Sequence, residues 1–327
     1  MMYNLILRVN VPLMTPQSDP SAPPEASPDG PQLPSPDELV EALYKDIRRA
    51  LGLHPNSWAS RVLLAGLRPA ASRFARYALE FDRIVADRGF PAAADWASSL
   101  IFRQVRVLGT ERVPTEGPLL IASNHPGTAD SLAISAALNR KDLKIIASNM
   151  PVIRNLPFTS RHVIFASLPG SNQRMVVIRE AVRHLKENGA LLIFPSGRVD
   201  PDPSVLSGAE TTFDYWSSSI GLMLRSVPET RVQVCIASGV LAPLSLRNPL
   251  SLFQRGKMEK QRAAEIFQTV QQVIFPRSVN LTANVMLGHP FRVSKPDGRV
   301  DAGEITQEIV RHGRVALKEH LEQWFGA

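Results

Sequence analysis

The stretch LLIASNHPGTADSLAISAAL, residues 119–138, decides how this chain is read. Leu119–Ala122 is an apolar run of strand length. Pro126 and Gly127 stop any regular element, because proline lacks an N–H and glycine tolerates unusual dihedrals. Asp130–Leu138 then has the composition of a helix. A strand, a Pro-Gly turn and a helix in this order form one step of an α/β fold. The same alternation recurs around it. Further β-type runs are Val105–Leu108, Leu143–Ala147, Val163–Ala166, Leu191–Phe194, Val232–Ala237 and Val279–Leu287. Helical stretches lie between several of them: Arg174–Lys186, Thr212–Leu224 and Met258–Val273. A last helix over about Gly303–Phe325 opens with the box-like pair Asp301 and Glu304. The expected fold is α/β, a mixed and mostly parallel sheet flanked by helices. No repeat of 20–50 residues interrupts it.

Toward the N-terminus the pattern becomes wholly helical. Ser35-Pro36-Asp37-Glu38 is a capping box with proline at the first helical position, and Leu39, Leu43, Ile47 and Ala50 follow at helical spacing. A second helix is expected from about Ser57 to Asp87, kinked or split at Pro69. A third starts near Pro91 and carries Trp96, Leu100 and Ile101. Residues 11–36 hold nine of the 27 prolines, a composition that buries too little apolar surface to offset the entropy of ordering. The expected organisation is a disordered Pro-rich acidic tail over 1–34, a helical N-terminal domain over 35–104 and an α/β domain over 105–327.

The chain has 327 residues and a net charge of +7. Residues 1–40 contain one arginine and five acids, so they carry −4 and the rest carries +11. Such a basic body favours anionic partners: lipid, nucleic acid or phosphorylated substrates. One cysteine, Cys235, excludes an internal disulfide and a cysteine-based zinc cage, and it fits a reducing compartment. No apolar run reaches the length of a membrane span, and MMYNLILRVNVPLM lacks the basic start of a signal peptide. Four tyrosines, four tryptophans and no RNA- or zinc-binding pattern argue against a nucleic-acid binder.

Two loops carry candidate chemistry. In Asn124–Asp130, His125 and Asp130 are five residues apart, about 140° around a continuous helix, so they would not meet on one. The Pro-Gly turn allows the chain to fold His125 back onto Asp130. A carboxylate on one imidazole nitrogen fixes the tautomer and leaves the other as a base. The alternative is a loop histidine capped by a neighbouring acid. The second loop, Phe194-Pro195-Ser196-Gly197-Arg198-Val199-Asp200-Pro201-Asp202-Pro203, also leaves an apolar strand. Ser196 and Gly197 permit close backbone approach to a ligand, and Arg198 offers a planar fork for phosphate. The alternative is a plain turn with an exposed arginine. Both loops sit where ligands bind in open α/β sheets, at the carboxyl ends of strands.

Together the loops resemble the glycerolipid acyltransferases, which include the lysophosphatidate and glycerol-3-phosphate acyltransferases. NHPGTAD is similar to their His-x4-Asp block, and FPSGR to their Phe-Pro-Glu-Gly-x-Arg block. VQVCIASGVLAP resembles their buried strand ending in proline, here Pro243, and NVMLGHPFRV their closing strand. The resemblance covers about residues 105–293. Ser196 replaces the usual Glu; PSGRVDPDP is closest to the Pro-Ser-Gly-Gly-Arg-Asp-Arg-Pro-Asp-Pro stretch of the soluble plastid-type glycerol-3-phosphate acyltransferases. Their second arginine is missing at Val199-Asp200. Their Lys-His pair is replaced by SLPGSNQ, with Arg174 immediately after.

The resemblance implies that His125 is the general base on an acceptor hydroxyl and that Asp130 orients it. It implies that Asn124, Arg174, Ser196, Gly197 and Arg198 bind substrate. The acyl donor would be acyl-CoA or acyl carrier protein, and the acceptor a phosphorylated glycerol or a lysolipid. A thioester is already activated, so no cofactor or metal is expected. N–H groups at the helix start after Gly127 are expected to help stabilise the oxyanion. Arg61, Arg68, Arg76 and Arg83 fall within an arc of about 80° on a continuous helix, with Leu63, Leu64, Leu67, Phe74 and Leu79 as its apolar complement. Such a face fits peripheral contact with an anionic membrane, from the cytoplasm and on its inner face, the alternative being a solvated basic face on a helix packed against the catalytic domain; a non-catalytic lipid-binding scaffold at the membrane surface is the alternative to an enzyme.

Overall fold

The computed structural model describes residues 33–326 except 52, 167–170, 249–250, 252–255 and 294–300. The expected tail therefore lies almost wholly outside the described residues, as does most of SLPGSNQ.

Three helices come first: α1 (Pro36–Leu51), α2 (Trp58–Arg88) and α3 (Phe90–Ile101). The capping box forms. Glu38 N–H donates to Ser35 Oγ at 3.2 Å, and Ser35 N–H donates to Glu38 Oε2 at 2.7 Å. Pro69 does not split α2, which runs through it as one 31-residue helix. Its first half packs with α1, through Leu39, Val40, Leu64, Ala71 and Ala75. Its second half packs on the sheet through Ile84 and Val85. Burial on both sides of the proline outweighs the loss of one hydrogen bond.

The seven strands among the described residues are β1 (Gln104–Leu108), β2 (Leu119–Ser123), β3 (Lys144–Ser148), β4 (Val163–Ala166), β5 (Ala190–Ile193), β6 (Arg231–Ser238) and β7 (Thr282–Leu287). They form one mixed sheet in the order β1-β7-β6-β2-β5-β3-β4. Only the β6–β7 pairing is antiparallel. Central β2 and β5 are buried throughout, as their unbroken apolar runs require of parallel strands covered on both faces.

The remaining helices are α4 (Asp130–Leu138), α5 (Pro151–Arg154), α6 (Ser171–Lys186), α7 (Ser219–Ser226), α8 (Lys257–Ile274) and α9 (Ala302–Phe325). α6, α7 and α9 cover one face of the sheet, with Leu185, Ile220, Met223 and Ile309 at the contact. α3, α4 and the end of α2 cover the other, with Phe90, Ala93, Ala133 and Ile134. The helix expected over Thr212–Leu224 is two pieces: a 3-10 turn at Ala209–Tyr215, then α7. Ser217 makes the break. Its backbone N–H reaches Pro195 O at 3.0 Å, and its hydroxyl accepts from Ser219 N–H at 3.2 Å. Asp301 caps α9, accepting from Gly303 N–H at 2.8 Å.

Candidate active site

The turn after β2 closes as the spacing allowed. His125 Nδ1 lies 2.9 Å from Asp130 Oδ2 and 3.2 Å from Oδ1. Gly127 N–H also donates to Asp130 Oδ2, at 3.2 Å. Asp130 is fully buried at the start of α4, and the His125 side chain keeps 24% exposure. Among the described residues, His125 Nε2 has no hydrogen-bond partner.

The second loop meets the first in three ways. The ring of Phe194 stacks on His125 with centroids 4.2 Å apart and planes 27° apart. Asp200 N–H donates to His125 O at 2.7 Å, and His125 N–H donates to Asp200 Oδ2 at 2.9 Å. β2 and β5 are neighbours in the sheet, so both loops leave the same carboxyl edge side by side. Asp202 then anchors the second loop to the end of β6, accepting from the N–H groups of Gly239, Val240 and Leu241 at 2.9–3.0 Å.

Two contributors from α8 escape a motif search. Gln261 Nε2 donates to Pro126 O at 2.9 Å and Asp200 O at 2.8 Å, and so bridges the two loops. Glu265 Oε1 accepts from the backbone N–H and the hydroxyl of Thr128. The sequence signal was a polar residue every three or four positions: Gln261, Glu265, Gln268 and Gln272, three of them buried. That spacing marks one face of a helix but not what the face touches.

Electrostatics follow from this crowding. Burial lowers the pKa of His125, but the charge and hydrogen bond of Asp130, helped by Glu265 and Asp200, outweigh it and raise the value to about 8. Burial pushes Asp200 up, against the pull of the His125 N–H and of the charges on His125 and Arg198. Burial likewise raises Glu265, against its bonds to Thr128. Among the described residues, no group of three or more His, Cys, Asp and Glu side chains is set to hold a metal ion.

The other expected substrate residues are placed unevenly. Asn124 is buried, and both ends of its amide are committed to β6: Nδ2 donates to Ala237 O at 2.9 Å, and Oδ1 accepts from Ala237 N–H at 2.8 Å. It anchors the histidine loop to β6. Ser196 donates to Arg198 O at 2.9 Å within the turn, and Gly197 takes φ +65°, which explains the glycine. Arg198 is exposed, its guanidinium 3.7 Å from the centroid of the Tyr215 ring. Arg174 is exposed on α6, the helix after edge strand β4, and is not brought to His125 by any contact among the described residues. Two N–H groups at the turn before α4 are already committed. Gly127 donates to Asp130, and Thr128 to Glu265.

Residues 104–223 match the family model described as Acyltransferase. This segment is similar to acyltransferase domains. Both loops fall inside it, in agreement with the resemblance to the glycerolipid acyltransferase superfamily. The matched segment stops short of α8, so Gln261 and Glu265 lie outside it. No curated protein matches the chain. Among solved structures, it is similar to the 1-acyl-sn-glycerophosphate (LPA) acyltransferase PlsC from Thermotoga maritima, at 16% identity and a TM-score of 0.41. That match covers 86% of this chain and 97% of the other.

Proposed function

We propose that this chain moves a fatty acyl group from acyl-CoA or acyl carrier protein to the hydroxyl of glycerol-3-phosphate, a step of phospholipid biosynthesis. The observation that carries the reading is the His125–Asp130 pair, with Nδ1 held at 2.9 Å and Nε2 without a partner among the described residues. In this reading Nε2 takes the acceptor hydroxyl proton as the oxygen attacks the thioester carbon. The tetrahedral intermediate collapses, the C–S bond breaks, and the imidazolium returns its proton to the thiolate. An ester and a free thiol result, and no cofactor enters the balance. Asp130 holds the tautomer and offsets the charge that develops on the ring. Arg198, exposed on the neighbouring loop after β5, is the candidate for the acceptor phosphate.

A second acceptor, a lysolipid such as lysophosphatidate, is favoured by the first turns of α2. Trp58, Val62 and Leu63 are 75%, 63% and 39% exposed. Arg61, Arg68, Arg76 and Arg83 are exposed along the same helix, although Arg68 pairs with Asp37 at 3.5 Å and Arg83 with Glu80 at 3.7 Å. Apolar and basic side chains presented together suit an anionic lipid surface. No helix among the described residues is long and apolar enough to cross a membrane.

The test is thiol release from acyl-CoA or acyl carrier protein, with glycerol-3-phosphate, lysophosphatidate or a neutral lysolipid added singly. His125→Ala is expected to lower turnover by roughly 10²–10⁴-fold with the fold intact. In the same assay Arg198→Ala should raise the acceptor KM more than the donor KM. Full turnover by folded His125→Ala would exclude the base assignment. An unchanged acceptor KM would exclude Arg198 as the phosphate ligand.

A further inference from the structure

The carboxyl edge of the sheet extends past the two loops to β3. Leu120, Leu191 and Lys144 stand opposite one another across β2, β5 and β3. Five residues on along each strand, the chains bring His125, Ser196 and Asn149 to that edge. β3 is two strands from β2, a lateral offset of about 10 Å at normal strand spacing. The C-terminal half of α1 docks there. Arg49 Nη1 donates to Asn149 O at 2.8 Å, and Asp46 Oδ2 accepts from the N–H of Val152, at 3.1 Å.

Beside that junction is a cleft of about 360 Å³, lined by Lys45, Arg48, Arg49, Leu53 and Pro55. Lys45, Arg48 and Arg49 are at i, i+3 and i+4, so they share one face of α1. Among the described residues, no carboxylate lines the cleft. Arg48 Nε is buried and has no hydrogen-bond partner among the described residues. A buried guanidinium N–H without an acceptor is costly, so such a group signals a missing acceptor. Three cations, one of them holding an unpaired buried donor, are suited to a ligand bearing several phosphate oxygens. Leu53 and Pro55 supply apolar surface for a flat ring.

Which phosphates these are follows from reach. The acceptor hydroxyl has to stand at His125, and in glycerol-3-phosphate the phosphate is only a few bonds from it. It cannot extend to a cleft two strands away. The acyl donor differs: the pantetheine arm of acyl-CoA holds its thioester far from a nucleotide with a diphosphate, a further phosphate and an adenine ring. We propose that the Lys45/Arg48/Arg49 cleft seats the phosphorylated nucleotide end of acyl-CoA while the thioester lies at His125. This rests on the acyl-transfer reading and adds to it a donor class and a donor-binding region outside the matched segment.

The test is equilibrium titration of the purified chain with coenzyme A. Arg48→Ala and Lys45→Ala are measured alongside, with Arg225→Ala as a control for loss of one exposed charge on α7. Each of the two cleft variants should weaken coenzyme A binding about ten- to a hundredfold, with Arg48→Lys recovering part of the loss and Arg225→Ala near wild type. In turnover, wild-type protein should prefer acyl-CoA to an acyl-pantetheine lacking the nucleotide, and Arg48→Ala should lose that preference. Coenzyme A affinity equal to wild type in folded Arg48→Ala and Lys45→Ala overturns the proposal. So does a loss confined to binding of phosphatidylglycerol-containing vesicles, which would make the cleft a lipid headgroup site. The titration needs no turnover. A protein that binds coenzyme A through this cleft but transfers no acyl group would overturn the catalytic reading and leave the cleft assignment standing.

Discussion

His125 has Asp130, Asp200 and Glu265 as acidic neighbours, and its pKa near 8 has a direct kinetic consequence. A general base works only when neutral. At pH 7 the imidazole of the free protein is mostly protonated, so kcat/KM should rise with pH through about 8 and then level off. Glu265→Gln removes one of the charges that raise this value, yet its amide oxygen still accepts from Thr128. The midpoint of the pH profile should therefore fall in that variant while the fold is retained. A midpoint unchanged from wild type would show that Glu265 exerts no field at the base. The residue types of this site were legible in the sequence, since the His-Pro-Gly turn was expected to allow a bond to Asp130. Glu265 was not, because it lies 137 residues from its partner Thr128 and belongs to no motif.

Elements were legible where their determinants are local. The box at Ser35 and Glu38 sets the start of α1, and the apolar runs of β2 and β5 set buried strands. Elements were less legible where a distant contact decided them. Pro69 stays inside α2 because both halves are buried against different partners, and Ser217 breaks a helix through a bond to Pro195. α7 gives a test at this scale. A Cβ on Gly221 would run into the backbone carbonyl of Ala302, at the start of α9. Backbone has little room to yield, so Gly221→Ala should destabilise the fold by about 1–3 kcal/mol, read as a lower urea midpoint. Wild-type stability in that variant would mean that α7 and α9 are free to separate.

For the whole molecule, two histidines set opposite limits on stability against pH. His320 is fully buried, its Nε2 2.8 Å from Ser238 Oγ and its Nδ1 without a partner among the described residues, and burial lowers its pKa to about 4. The unfolded chain takes up this proton first, near 6.5. Stability is thus full above 6.5 and is lost as pH falls toward 4, by about 3 kcal/mol. His125, with a raised value, acts in the other sense. Its contribution of about 2 kcal/mol is complete below 6.5 and is lost as pH rises through about 8. Urea midpoints measured from pH 4 to 8 should show the acid loss shrink in His320→Gln. An identical acid limb in that variant would exclude His320 as its source.

The sequence by itself determined the strand-turn-helix order, the helical N-terminal region, the residue types in both loops and their resemblance to acyltransferases. Each depends on neighbours within a few positions. Only the tertiary structure decided which groups meet. It brought Phe194 onto the His125 ring and Asp200 onto its backbone. It committed Asn124 to β6 and laid the polar face of α8 across both loops. Contacts of that kind depend on the order of strands in the sheet, and strand order is fixed by packing across the whole chain, which no local spacing encodes.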